Sequence, residues 1–322
     1  MGLVPPGSPY RVGRGSRPTR VPGYRRLSRR RPRSNGKLRE TERGETIATT
    51  TFFTKHHGAG NDFLVTVDLD GRHPLEPAEV RALCDRHFGV GADGVMRVLE
   101  GHQGADLGME LRNADGLEAE MSGNGIRCLA QAAVEAGLVS APVFSVATAA
   151  GIRTVEYRPD DRPGLAFASV VMGKAELGPD QAEAVAGRRA RAVDMGNPHL
   201  VLLGPDPSGL DLGELGPQLQ SVRPGGINVE FVALGPGNDE VTMRVWERGV
   251  GETLACGTGA CAAAAAAHSW DLVGDVVTVH NPGGSLRVTL GADGVSLAGP
   301  TQKVADVAVD LDALRASVPS TR

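Results

Sequence analysis

Two short runs in the sequence have the residue types and spacing for acid/base chemistry: Ser122-Gly123-Asn124-Gly125 and Cys256-Gly257-Thr258-Gly259. Each precedes an alanine-rich stretch that reads as a helix, from Ile126 to about Ala136 with Gly137 as its stop, and from Ala260 to about His268. A residue just before Gly-x-Gly at a helix start faces unpaired backbone N–H groups and the positive end of the helix dipole. Glycines leave the backbone open to a ligand. Such a place suits an anion, for instance a carboxylate, and draws a thiol's pKa from about 8.5 into roughly 3.5–7.5. Cys256 therefore reads as an activated acid/base, against the alternative of a small buried hydrophobe. Cys128 and Cys261, set among alanines, and Cys84 read as core.

The two runs lie 134 residues apart, each after a strand-rich segment. Self-similarity at this period suggests a duplicated unit rather than a solenoid. It predicts two similar domains about a pseudo-twofold axis with a cleft between them; chance recurrence of a common Gly-x-Gly turn is the competing account. The stretch Ala260–Ala267, interrupted only by Cys261, predicts a central helix closely surrounded by sheet.

The elements that must position these runs are short. Strands are expected at Thr51–Phe53 and Phe63–Val67 around a loop from His56 to Asp62, and a helix over Pro77–His87. Short strands follow at Val95–Leu99 and Met109–Leu111, then at Val143–Ala147, Thr154–Tyr157 and Ala166–Met172. The second half repeats the order, with strands near Ala192–Met195 and Leu200–Leu203, a helix near Leu212–Gln220, strands at Asn228–Leu234 and Glu240–Glu247, and a weak terminal helix at Leu311–Ser317.

With 322 residues, 41% apolar, the chain is long enough for two domains. It has no apolar run of about 18–20 residues, so no membrane helix is expected. Four cysteines exclude a disulfide scaffold. The four lysines, Lys37, Lys55, Lys174 and Lys303, leave few candidates for a Schiff base. The net charge of −4 hides an asymmetry. Residues 1–39 hold eleven Arg, Lys37 and no acid, so the remainder carries −16. That acidic body argues against nucleic-acid binding by the main domains. The basic segment reads as a disordered extension or a start assigned too far upstream, with RNA or an anionic surface as a possible partner, or an organellar address; it has no apolar region of a signal peptide. Gly89-Val-Gly91-Ala-Asp-Gly94 spells G-x-G-x-x-G, but it precedes a strand rather than a helix, so the dinucleotide reading fails. No metal-ligand spacing is present.

The segments His57-Gly-Ala-Gly-Asn61-Asp-Phe63, Asn113-Ala-Asp-Gly116, Ser122-Gly-Asn-Gly125, Met195-Gly-Asn197-Pro-His199, Asn228-Val-Glu-Phe231 and Glu247-Arg-Gly-Val-Gly-Glu-Thr-Leu-Ala-Cys-Gly-Thr-Gly-Ala-Cys261 together resemble the diaminopimelate epimerase family. The likeness runs from about Phe53 to about Val309. It implies an α+β fold of two pseudo-symmetric domains, each a mixed or antiparallel sheet wrapped around a central Ala-rich helix, with the active site between them. On this basis residues 1–45 are the extension, 46–165 with 301–313 returning form the N-terminal domain, 166–300 the C-terminal domain, and 314–322 a tail.

The resemblance further implies an isomerase without a cofactor, interconverting LL- and meso-2,6-diaminopimelate for lysine and peptidoglycan precursor synthesis, as a cytoplasmic homodimer. Two opposed groups flank Cα, one removing a proton and the other supplying one to the opposite face. Cys256 matches one catalytic position and Ser122 stands at the other. Gly123, Asn124, Gly257 and Thr258 match the carboxylate cradle. Asn61, Asn113, Asn197 and Asn228 match the asparagines that hold the substrate's ends; Glu247 would hold an ammonium, Arg248 the distal carboxylate, and His199 flanks the acid/base site. Two departures stand out: Ser122 where the family has cysteine, and Gly94 where it has glutamine. A serine is a far weaker acid than a thiol. The serine could work with a neighbouring base, turn over asymmetrically, or mark a paralogue with altered activity. A Ser/Cys hydroxyproline epimerase or proline racemase-like enzyme and a non-catalytic amino-acid-binding paralogue are the alternatives.

Overall fold

The computed structural model describes residues 50–119, 121–185 and 187–317. The expected extension over 1–45 and the end of the tail lie outside the described residues. The first half contains β1 (Thr50–Gly58), β2 (Asn61–Val67), α1 (Pro77–Cys84), β3 (Gly94–Glu100), β4 (Leu107–Asn113), α2 (Gly123–Glu135), β5 (Val143–Thr148), β6 (Gly151–Pro159) and β7 (Leu165–Gly173). The second contains β8 (Glu176–Val185), β9 (Arg188–Asp194), β10 (Pro198–Leu203), α3 (Leu212–Gln220), β11 (Asn228–Leu234), β12 (Glu240–Glu247), β13 (Gly251–Thr253), α4 (Gly257–Ser269), β14 (Val276–Asn281) and β15 (Gly284–Gly291). The long β16 (Gly294–Asp310) and α5 (Leu311–Ser317) follow.

The duplication is explicit in the strand pairing. From β1 to β7 the successive neighbours are antiparallel, parallel, antiparallel, parallel, antiparallel, antiparallel. From β9 through β10, β11, β12, β14 and β15 to β16 the same six relations recur in the same order. Strand β16 belongs to both halves. Its first part pairs with β15 and β7, and its second part runs antiparallel to β1 from Gln302 to Asp310. That second pairing closes β1–β7 and β16 into a ring of eight strands around α2.

Each central helix is wrapped as its composition requires. Ile126, Cys128, Leu129, Ala130 and Ala133 of α2 are fully buried, and Cys261, Ala262, Ala263, Ala264, Ala266 and Ala267 of α4 likewise. With only methyls and a thiol on its surface from Ala260 to Ala267, α4 lets the sheet approach closely there. Cys84 is buried as well.

Three local expectations are corrected. The loop from His56 to Asp62 is only a two-residue turn: β1 runs to Gly58 and β2 starts at Asn61. Ala59 and Gly60, at φ 53° and 83°, form it, the left-handed pair that suits a twisted hairpin. Both central helices begin three residues earlier than expected, at Gly123 and Gly257, so the glycines lie inside the first turn. Strand β8 has no counterpart in the sequence reading; its ladder partner β9 supplies the pattern that its own polar sequence lacks.

Candidate active site

Ser122 and Cys256 are the N-caps of α2 and α4, in nearly the same extended conformation, φ −136° and −121° with ψ 119° and 122°. Ser122 Oγ accepts the Gly125 N–H at 3.0 Å, and Cys256 Sγ accepts the Gly259 N–H at 3.3 Å. The two helix ends abut. A Cβ on Gly257 would stand 2.8 Å from Gly123 Cα, closer than real side chains come, so glycine is what allows the approach. Both caps line one cavity of about 360 Å³.

Asn61, Asn113, Gly123, Asn197 and Asn228 also line this cavity, as do Glu247, Arg248, Gly257 and Thr258. Two expected site residues stand behind its wall. The Asn124 side chain is buried and spans the halves: its Nδ2 donates to Asn61 Oδ1 at 3.2 Å and to the Ala255 carbonyl at 2.9 Å. His199 is fully buried, with Nδ1 2.6 Å from Glu230 Oε1 and Nε2 2.9 Å from Asn197 Oδ1. It orients Asn197, whose Nδ2 donates to Thr258 Oγ1 at 3.3 Å. Asn228 Oδ1 accepts the Arg248 N–H at 2.9 Å, which fixes the start of the Arg248 loop. Gly94 presents no side chain: a Cβ there would meet the Arg112 carbonyl at 2.7 Å.

The electrostatics of Cys256 reverse the expectation from sequence. Burial pushes the thiol well above its ordinary pKa, and the charges of Glu247 and Glu230 push it further. The Thr258 hydroxyl and the Gly259 N–H pull it down, but by less. The helix N-terminus does what its geometry predicts and is outweighed by burial and two carboxylates. Cys256 rests as a neutral thiol. Glu247 is half-buried on the cavity wall, and desolvation there raises it from 4.5 to about 7 against hydrogen bonds from Thr253 and Cys256. Glu247 thus sits against the thiol as well as facing any bound ammonium.

Several supporting residues escape the sequence reading. Asp93, inside the misleading glycine-rich loop, accepts Asn61 Nδ2 at 2.7 Å and the Asp62 N–H at 3.1 Å, and pairs with Arg86 at 2.7 Å. An acid amid three glycines is the signal that points to it. Arg127 is completely buried; it donates to the Gly123 carbonyl at 2.8 Å and Asn124 Oδ1 at 2.9 Å. Glu230 sits within a quoted motif, but only the fold reveals its contact with His199. Among the described residues no three His, Cys, Asp or Glu side chains gather as a metal-ligand set.

The sequence profile of the family described as "Diaminopimelate epimerase" matches residues 53–178 and 191–304. A diaminopimelate epimerase of Synechocystis sp. is 40% identical over 277 residues, 78% of this chain and 96% of that protein. One from Desulforudis audaxviator is 42% identical over 274 residues, 79% and 97% respectively. Among solved structures, a hydroxyproline epimerase from Agrobacterium vitis superposes with a TM-score of 0.61 at 19% identity, covering 81% of this chain and 92% of that one. A Bacillus anthracis protein of the PhzF family gives 0.62 at 16% identity, covering 81% and 99%. At those identities the structures establish the shared fold, and the sequence matches go further: the chain belongs to the diaminopimelate epimerase family.

Proposed function

We propose that this isomerase interconverts LL- and meso-2,6-diaminopimelate by proton transfer at one α-carbon, with Ser122 and Cys256 on opposite faces. The observation that carries the reading is the pair of abutting helix N-termini whose capping side chains line one cavity. In this reading the substrate α-carboxylate accepts hydrogen bonds from backbone N–H groups of both helix ends, which also stabilise the charge that develops when Cα–H breaks. Glu247, with a pKa of about 7, takes the Cys256 thiol proton. The thiolate then removes the α-proton while Ser122 Oγ–H delivers a proton to the other face. Arg248 pairs with the distal carboxylate, and Asn61, Asn113, Asn197 and Asn228 fix the substrate's ends.

The domain division that goes with this reading is 46–165 with 301–313, and 166–300; the return of β16 to β1 supports it. The enzyme is taken to act as a cytoplasmic homodimer. Phe52 and Val304, exposed on neighbouring strands, offer apolar surface for such contact, and no described helix is long and apolar enough to cross a membrane. The test is α-proton exchange and epimerisation of diaminopimelate in deuterated water, beside hydroxyproline and proline. Exchange with diaminopimelate that disappears in Cys256→Ala is expected. Reaction with the cyclic imino acids alone, or binding without exchange, would overturn the reading.

A further inference from the structure

The repeated strand order sets the two halves of the site in register with one another. In the first half Phe63 pairs with Gly94 and Gly94 with Asn113. In the second His199 pairs with Asn228, and Glu247 lies one position beyond the Val229–Trp246 pair, opposite Asn228. Glu230 and Met96 each lie two residues further along their strands. The helix ends confirm the match independently. A Cβ on Gly125 would meet Met96 Sδ at 3.1 Å, whereas one on the equivalent Gly259 would meet Glu230 Oε1 at 2.7 Å. The second half thus sets His199, Glu230 and Glu247 around Cys256, and the first half sets Phe63, Met96 and Asn113 at the equivalent places around Ser122.

Among the described residues, the acids that line the cavity on the Ser122 side are committed elsewhere. Asp93 is held by Arg86 and Asn61, Glu118 by Arg112 at 2.9 Å, and Asp115 Oδ1 by the Leu117 N–H at 2.8 Å. Ser122 Oγ has the Gly125 N–H as its hydrogen-bond partner among the described residues.

We infer that the two faces of the site hold different numbers of mobile protons, two on the Cys256–Glu247 face and one on the Ser122 face, so that the enzyme also exchanges the α-hydrogen of one epimer with retention of configuration. This rests on the proposed epimerase reading. In deuterated water the thiol deuteron passes to Glu247, Cα–H breaks, its proton goes to sulfur and its electron pair stays on the carbanion. The thiol and the carboxylic acid then share one proton and one deuteron across their hydrogen bond. Return of the deuteron from sulfur to Cα labels the substrate without inverting it; delivery from Ser122 inverts it and leaves an alkoxide. The opposite epimer meets that alkoxide form, with Cys256 and Glu247 both protonated. Ser122 takes its α-hydrogen and has no second proton to give back, so reversal on that face returns the same hydrogen.

The test incubates the full-length enzyme with LL- and with meso-diaminopimelate separately in deuterated water, and measures deuterium in recovered substrate before a tenth has epimerised. The expected result is label in one recovered epimer at least threefold ahead of its epimerisation, and almost none in the other, whose product is nonetheless labelled. Glu247→Gln should remove that lead, lowering the ratio of substrate labelling to epimerisation to below one. Equal labelling of both recovered epimers, or of neither, while epimerisation proceeds overturns this inference and leaves the epimerase reading intact. Absence of both exchange and epimerisation overturns both.

Discussion

Glu247→Gln replaces a carboxyl that folding carries far from its ordinary acidity. The native pKa of about 7 against 4.5 means that the folded state holds this proton more tightly than the unfolded chain. The stability the group contributes is then fully present below about pH 4.5 and is lost as pH rises through about 7. At roughly 1.4 kcal/mol per unit, the ionised carboxylate would cost the native state about 3 kcal/mol above pH 8. Water in the cavity screens part of this, leaving about 2 kcal/mol. Glutamine has the same shape and still accepts the Thr253 hydroxyl, but it has no charge to desolvate. Urea unfolding, followed by the fluorescence of Trp246 and Trp270, should therefore find wild type and variant equal near pH 4.5 and the variant about 2 kcal/mol more stable at pH 8.5. Its epimerase rate should fall by at least a hundredfold, because the thiol loses its proton acceptor. A stability difference independent of pH, of either sign, would refute the argument.

Further outcomes follow from the same contacts. Ser122→Cys should keep or raise epimerase activity, since a thiol fits the cap and is the stronger acid; total loss would contradict the placement of Ser122 opposite Cys256. Gly257→Ala places a methyl 2.8 Å from Gly123 Cα and must part the helix ends, so kcat should drop by about a hundredfold while circular dichroism stays native. Arg127→Leu leaves the Gly123 carbonyl and Asn124 Oδ1 without their donor, at about 2 kcal/mol of stability, measured by urea unfolding. With Asn124 loosened between Asn61 and Ala255, kcat should also fall about tenfold.

The capping pair was legible because its signal is local: a polar or thiol residue, Gly-x-Gly and an alanine run suffice to place Ser122 and Cys256 at helix N-termini. The helices at Leu212–Gln220 and Leu311–Ser317 and the strands at Asn228–Leu234 and Glu240–Glu247 were legible for the same reason. What was not legible depends on distant residues meeting. The protonation of Cys256 is decided by Glu230 and Glu247, contributed by β11 and β12. Asn124 is expected in the carboxylate cradle, and nothing local in the sequence shows that its side chain bonds the Ala255 carbonyl, 131 residues away. The strands β8 and β16 are specified by their partners: β16 alternates buried and half-buried positions over its first eight residues, which a short window reads as one ordinary strand rather than 17 residues serving both halves of one sheet.

That shared strand has a consequence for how the protein comes into being. Residues Gln302–Asp310, which seal the ring against β1, are synthesised only after β1–β15. The ring of the first half therefore stays missing one stave, with one edge of β1 unpaired, until β16 has been made. The first half cannot be expressed alone as a finished unit, and a stop codon shortly before Gly294 would leave its ring open and β15 without its β16 partner.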